Sequence, residues 1–186
     1  MQSPPLSQLF SDLWYGDSRL RWLLWPLAAL YQSLSRLRRV AYARGWLRSV
    51  EMDVPVIVVG NVSVGGTGKT PFVIWLAEQL KQRRRRVGIV TRGYRGKAGD
   101  WPRAVRTDSD PREVGDEPVL LARRTGCPVV AGPDRAAAAA ALLAMSPVDV
   151  LLSDDGLQHY RLARQFEIAV VDGVRGMGNG LCLPAG

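Results

Sequence analysis

Histidine and cysteine are nearly missing from this 186-residue chain: His159 stands alone, and Cys127 and Cys182 lie far apart with no CxxC pair. That scarcity excludes a disulfide framework and a zinc centre as organising devices, and it fits a reducing, cytosolic setting. Acidic residues are also in deficit, 17 against 25 Lys plus Arg, so the formal net charge is +8. The excess is almost entirely arginine, the side chain suited to phosphate, and anionic partners are expected. Aromatics are not interleaved with the basic residues and no nucleic-acid module is present, so lipid or nucleotide phosphate is the expected partner and nucleic acid is not. No internal repeat is visible, and the length suits one main domain with a sizeable core.

A long hydrophobic run is absent too. The charge-free window from Trp22 to Ser35 amounts to about 21 Å of helix at ~1.5 Å per residue, against a hydrocarbon core of ~30 Å. Extending it would bury Arg21 or Arg36, each at roughly 2.5 to 3.5 kcal/mol. From Leu20 onward, Leu20, Leu23, Leu24, Leu27, Leu30, Tyr31, Leu34 and Leu37 recur at helical spacing with arginines at 19, 21, 36, 38 and 39 beside them, which predicts an amphipathic helix. Such a helix either lies in a membrane interface, a depth that suits Trp14, Trp22 and Trp25, or packs on its own domain. Pro26 is expected to kink or split it. No small-residue cleavage site follows the apolar run, which argues against a signal peptide. The chain thus divides into an amphipathic segment, 1–50, expected to associate with membrane, and a second, larger segment, 51–186.

What the second segment does have is a phosphate loop. Val54 to Gly60 reads as a β-branched strand buried on both faces, and Phe72, Trp75, Leu76 and Leu80 recur at helical spacing up to Gln82. Between them lie Ser63, Val64, Gly65, Gly66, Thr67, Gly68, Lys69 and Thr70, the residues assigned to nucleotide binding. Glycines let backbone N–H groups approach phosphate oxygens, and the helix start adds positive potential. Lys69 reaches the β- and γ-phosphates, and the Thr70 hydroxyl binds the Mg²⁺ that bridges them. The strict P-loop pattern has glycine where this chain has Ser63.

Downstream, Val148 to Asp155 is an apolar strand ending in two acids, the form of a Walker B element; Asp154 is the first choice of Mg²⁺ ligand and Asp155 the second. A solvated acidic turn is the alternative. Asp116, in Gly115-Asp116-Glu117-Pro118, precedes an expected helix Glu117–Arg124, and residue chemistry alone favours an N-cap role over catalysis. The arginines 83–86 read as a solvated helix end. Thr91-Arg92-Gly93-Tyr94-Arg95-Gly96 leaves a strand at the end where α/β sheets bind ligands, so Arg92 and Arg95 are candidate substrate contacts. The remaining pattern predicts strands at Val87–Thr91, Ala104–Thr107, Pro128–Ala131, Val148–Asp154 and Glu167–Asp172, with a helix at Asp134–Met145 whose six alanines, 136–141, form a close-packed face. This alternation specifies an α/β fold, a P-loop NTPase-like and mostly parallel sheet flanked by helices.

Taken together, GNVSVGGTGKTP at 60–71, TRGYRG at 91–96, GDEP at 115–118, DDGLQH at 154–159 and VDGVRGMGNGLCLPAG at 171–186 resemble the tetraacyldisaccharide 4'-kinases, the bacterial lipid A 4'-kinases. The resemblance implies transfer of the ATP γ-phosphate to the 4'-hydroxyl of an acylated glucosamine disaccharide 1-phosphate, at the cytoplasmic face of the inner membrane. It further implies that Asp116 acts with Lys69 in catalysis by accepting the alcohol proton, that the amphipathic helix contacts membrane, and that TRGYRG lines the cleft. That family continues beyond LPAG into a further domain bearing a catalytic histidine, so the chain is expected to be the amino-terminal part of a longer protein, and His159 is not that histidine. GGTGKT is also similar to the loops of partitioning and septum-site ATPases, although their signature lysine is here Val64; a regulatory membrane ATPase and an inactive nucleotide-binding fragment are the competing expectations.

Overall fold

The computed structural model describes residues 13–14, 20–63, 68–94, 96, 99–174 and 176–186. They fall into two compact units, one comprising 1–47 with 171–186, the other 48–170.

The larger unit is a six-stranded sheet. Its strands are β1 (Val56–Asn61), β2 (Val87–Thr91), β3 (Arg103–Val105), β4 (Val129–Ala131), β5 (Val150–Asp154) and β6 (Phe166–Val170), in the order β3-β4-β2-β5-β1-β6. All neighbours pair parallel except β3 with β4. Every residue of β2, β4 and β5 is buried, which is why they read as continuous apolar runs without alternation. The sheet is therefore mostly parallel, as expected, with a short antiparallel strand at one edge. That strand is displaced slightly from the expected Ala104–Thr107, and its direction carries no sequence signal.

Helices cover both faces. In the larger unit α2 is Lys69–Gln82, α3 Pro111–Val114, α4 Asp116–Thr125 and α5 Arg135–Met145. Val73 and Ala77 of α2 and Val119, Leu121 and Ala122 of α4 pack with Val59, Ile89 and Leu152. On the opposite face Ala138, Ala139 and Leu142 of α5 pack with Val58, Val90 and Leu151. The alanine run does not form one face: Ala136, Ala138 and Ala139 are buried while Ala137 and Ala140 are exposed, because consecutive residues sit ~100° apart around a helix. Asp134 caps α5 by accepting from the N–H groups of Ala136 (3.0 Å) and Ala137 (3.3 Å). The arginines 83–86 are exposed as expected, and the last is held by the Asp149 carboxylate, with Nη2 to Oδ1 at 2.5 Å.

In the smaller unit α1 runs from Leu20 to Ala43 and passes through Pro26. The expected split at Pro26 does not occur: proline removes only the N–H that Trp22 C=O would accept, and the Leu- and Ala-rich flanks sustain the helix on either side. Trp22, Leu23, Trp25, Leu27, Leu30, Leu34 and Leu37 are all more than half exposed. No helix among the described residues is long and apolar enough to cross a membrane. The tail is organised by Asn179, whose side-chain amide donates to Leu13 O (3.0 Å) and Ala185 O (2.8 Å), while Trp14 Nε1 donates to Pro184 O (3.2 Å).

Candidate active site

The parallel neighbours β1 and β5 set the geometry, because their register pairs Val59 with Asp154. Two chemically loaded segments therefore leave the sheet side by side, at its carboxyl edge, where open α/β sheets bind ligands. β1 ends at Asn61, and Gly68, whose left-handed φ is 79°, is the N-cap residue of α2. Strand, loop and helix thus follow one another as the motif requires. Val64, Gly65, Gly66 and Thr67 lie outside the described residues, as does Arg95.

Lys69, the first residue of α2, points back across the loop. Its ammonium donates to Asn61 Oδ1 at 2.7 Å and to Asp155 Oδ1 at 2.7 Å. Asn61 in turn donates from Nδ2 to Ser63 O, so one amide steadies both the loop and the lysine. Thr70 follows on the first turn, half-buried. Asn61 was not among the residues assigned from sequence; the polar side chain that closes an apolar strand is its only signal.

The two acids have different environments. Asp155 is half-exposed, in a left-handed conformation at φ 53°, and ion-paired to Lys69. Asp154 is 1% exposed and its Oδ1 has no hydrogen-bond partner among the described residues. Burial, then the charges of Glu117 and Asp155, push its carboxyl up to about 7, against the pull of Lys69 and Arg135. Gly156 lets the turn close, since a Cβ there would come within 2.9 Å of Val58 Cγ1.

Arg135 opens α5 and is 2% exposed, a rare burial for a guanidinium. It donates from Nη1 to Gly132 O at 2.6 Å and from Nη2 to the main-chain oxygens of Asp154 and Asp155 at 3.5 and 3.4 Å. Burial lowers its pKa to about 10, offset by the two acids, and the charge of Arg92 is felt there as well. Arg92 itself is exposed and lines a 270 Å³ cavity with Gly93, Tyr94, Gly96, Trp101 and Pro133.

Asp116 is the first residue of α4, and its position corrects the cap reading: Gly115 is the N-cap, and no side chain caps that helix. Gly115 is required here, with φ 95° and a Cβ position only 2.5 Å from Tyr94 O, so the GDEP turn is packed on the loop bearing Arg92. Asp116 is exposed, and no ion pair links it to Lys69 among the described residues. Its neighbour Glu117 does communicate with Asp154. The sequence therefore identified Lys69, Asp154 and Asp155 as a group, and missed Asn61, Glu117 and Arg135.

Strand order, glycine loop, helix-initial lysine and an acid at the end of the adjacent strand define a P-loop-type α/β protein. The family model for tetraacyldisaccharide-1-P 4'-kinases matches residues 20–186. The chain belongs to that family. It is similar to the tetraacyldisaccharide 4'-kinase of Alkalilimnicola ehrlichii, 64% identical over 87% of this chain and 48% of the relative. The tetraacyldisaccharide 4'-kinase of Nitrosococcus oceani is 57% identical over 97% of this chain and 53% of its own. A crystal structure of LpxK from Aquifex aeolicus in complex with ATP superposes with a TM-score of 0.73 at 39% identity, covering 81% of this chain and 48% of that one. The chain thus spans about half the length of the relatives it matches.

Proposed function

We propose that this chain forms the nucleotide-binding part of an ATP-dependent kinase that phosphorylates the 4'-hydroxyl of tetraacyldisaccharide 1-phosphate, in lipid A biosynthesis. The observation that carries the reading is the convergence of Lys69 and Asp155 beside the buried Asp154, in a chain of this family. The ATP in the related crystal structure supports the choice of nucleotide. The family assignment favours a kinase over a partitioning-type ATPase.

In this reading the loop residues Ser63 to Gly68 present N–H groups to the triphosphate, and Lys69 exchanges Asp155 for phosphate oxygen. The residues present suit Mg²⁺: Asp154 offers a buried oxygen without a hydrogen-bond partner among the described residues, and Thr70 offers a hydroxyl. Magnesium there would neutralise charge on the phosphates. Asp116 accepts the proton of the acceptor hydroxyl, and Arg92 and Arg95 contact the anionic sugar. The exposed apolar face of α1 lies in the cytoplasmic leaflet of the inner membrane, where the acyl chains of the substrate remain.

The deciding assay measures phosphate transfer to tetraacyldisaccharide 1-phosphate by the full-length protein, with Lys69→Ala and Asp116→Ala each expected to lower kcat by at least about 100-fold. Near-normal turnover in Asp116→Ala would remove it as the base. Titration calorimetry of this chain with ATP and Mg²⁺ tests the nucleotide site separately, and a folded chain without affinity would overturn the proposal.

A further inference from the structure

Among the groups that the proposed chemistry leaves unused, the buried guanidinium of Arg135 is the most expensive to keep. An arginine removed from water is retained at a large desolvation cost unless its donors are engaged. Among the described residues no carboxylate oxygen engages it: Nη1 and Nη2 donate to main-chain carbonyls, Gly132 O after β4 and Asp154 O and Asp155 O at the end of β5, and Nε has no partner there. Because β2 lies between β4 and β5, the side chain spans the exit of β2 and joins the exits of its two neighbours.

We infer that Arg135 is a positioning residue for magnesium in the nucleotide site: its fork fixes the main chain at Asp154 and Asp155, and so fixes where the Asp154 carboxylate points. Three observations make this specific. Asp155 sits at φ 53°, a conformation costly for a side-chain-bearing residue unless the surroundings hold it. The carbonyl on that residue is one of those that Arg135 grips, and the side chain on that residue is the one that holds Lys69. The rest of the turn is secured elsewhere, by Arg164, which donates to Leu157 O at 2.8 Å and His159 O at 2.9 Å, so Arg135 serves the acidic end alone. A lysine would supply one ammonium in place of a planar fork and would reach only part of this carbonyl set.

The inference rests on the proposed ATP·Mg²⁺ site, and the test separates the two. Nucleotide affinity of the chain is measured by calorimetry with ATP in EDTA and across a magnesium titration, for wild type, Arg135→Met and Arg135→Lys. Circular dichroism and thermal melting report folding. If wild type fails to bind ATP at any magnesium concentration, the site reading fails whatever Arg135 does. If it binds, Arg135→Met should raise the magnesium concentration at half-effect by about tenfold, the usual scale for a residue that orients a ligand. Arg135→Lys should fall between, and affinity in EDTA should stay within about twofold of wild type in both, since on nucleotide binding Lys69 leaves Asp155 for phosphate and no longer depends on that turn.

A folded Arg135→Met with an unshifted magnesium midpoint overturns the inference. So does an equal loss of affinity with and without magnesium, which is the pattern of a general packing defect. Should Arg135→Met fail to fold, Arg135→Lys decides on the same readout, and failure of both to fold marks Arg135 as a core brace and also overturns it.

Discussion

Asp154 is buried and Lys69 partly so, and each yields a measurement. Asp154 is buried with a carboxyl raised to about 7, whereas an unfolded aspartate titrates near ~3.9. Below pH ~4 both states are protonated and the burial is harmless. As pH rises towards 7 the unfolded state releases its proton first, so stability falls through that interval and stays lower above it. Asp154→Asn should therefore melt roughly 5 °C above wild type at pH 8 without magnesium, and close to wild type at pH 4, by calorimetry. An unchanged difference across that range would refute the burial argument. Lys69, joined to Asp155 and Asn61 at 2.7 Å each, is expected to matter for ligand and little for folding. Lys69→Ala should weaken ATP binding by about 100-fold, the scale of a charge-assisted contact, with a melting temperature near wild type.

The residues the sequence concealed share a physical reason. Lys69 and Asp154 were legible because glycine spacing and an apolar run ending in acid are local patterns. Arg135 follows Pro133 and Asp134 and opens an alanine helix, so in sequence it looks like an arginine at a solvated helix start. Its burial arises only when β4, β2 and β5 are laid side by side. Glu117 is similar, since its influence on Asp154 crosses from α4 to β5.

At the level of elements, the turn around Gly115 is the most constrained. With φ 95° and Tyr94 O only 2.5 Å from any Cβ, Gly115→Ala meets both backbone strain and a clash. Urea unfolding should show a loss of about 2 kcal/mol or more. The strands β2 and β5 were readable to within two residues, because burial on both faces leaves an unbroken apolar signature. Edge strand β3, three residues long, was not readable in direction, since one short run carries no register information. The split that Pro26 allows does not occur for a comparable reason: a proline rule is local, whereas a helix of 24 residues is cooperative. The exposed face of α1 gives its own test. Leu30→Gln with Leu34→Gln, one turn apart, leaves charge unchanged and removes two apolar groups worth about 1.5–3 kcal/mol each when buried. Partition onto phosphatidylglycerol vesicles should fall by at least about 100-fold, and unaltered partition would exclude that face as the contact.

For the whole molecule, the net charge of +8 sets the conditions under which any such contact forms. Anionic vesicles should retain the protein at low ionic strength and lose it by about tenfold or more as salt approaches 0.5 M, because screening shortens to a few ångströms. Neutral vesicles should show little salt dependence. Binding to both kinds with equal salt response would place the contribution outside the charge.

The full burial of β2 and β5 also has a consequence in time. Amide protons there sit on strands flanked by others and covered by helices on both sides, so deuterium should reach them last and reach β3 and β6, at the two edges, first. Asp154 is the final residue of one of these slow strands and Arg92 follows directly on the other. Two of the proposed site residues are thus mounted on the part of the protein that opens least often, and the spacing between them should persist through partial openings that leave β2 and β5 intact.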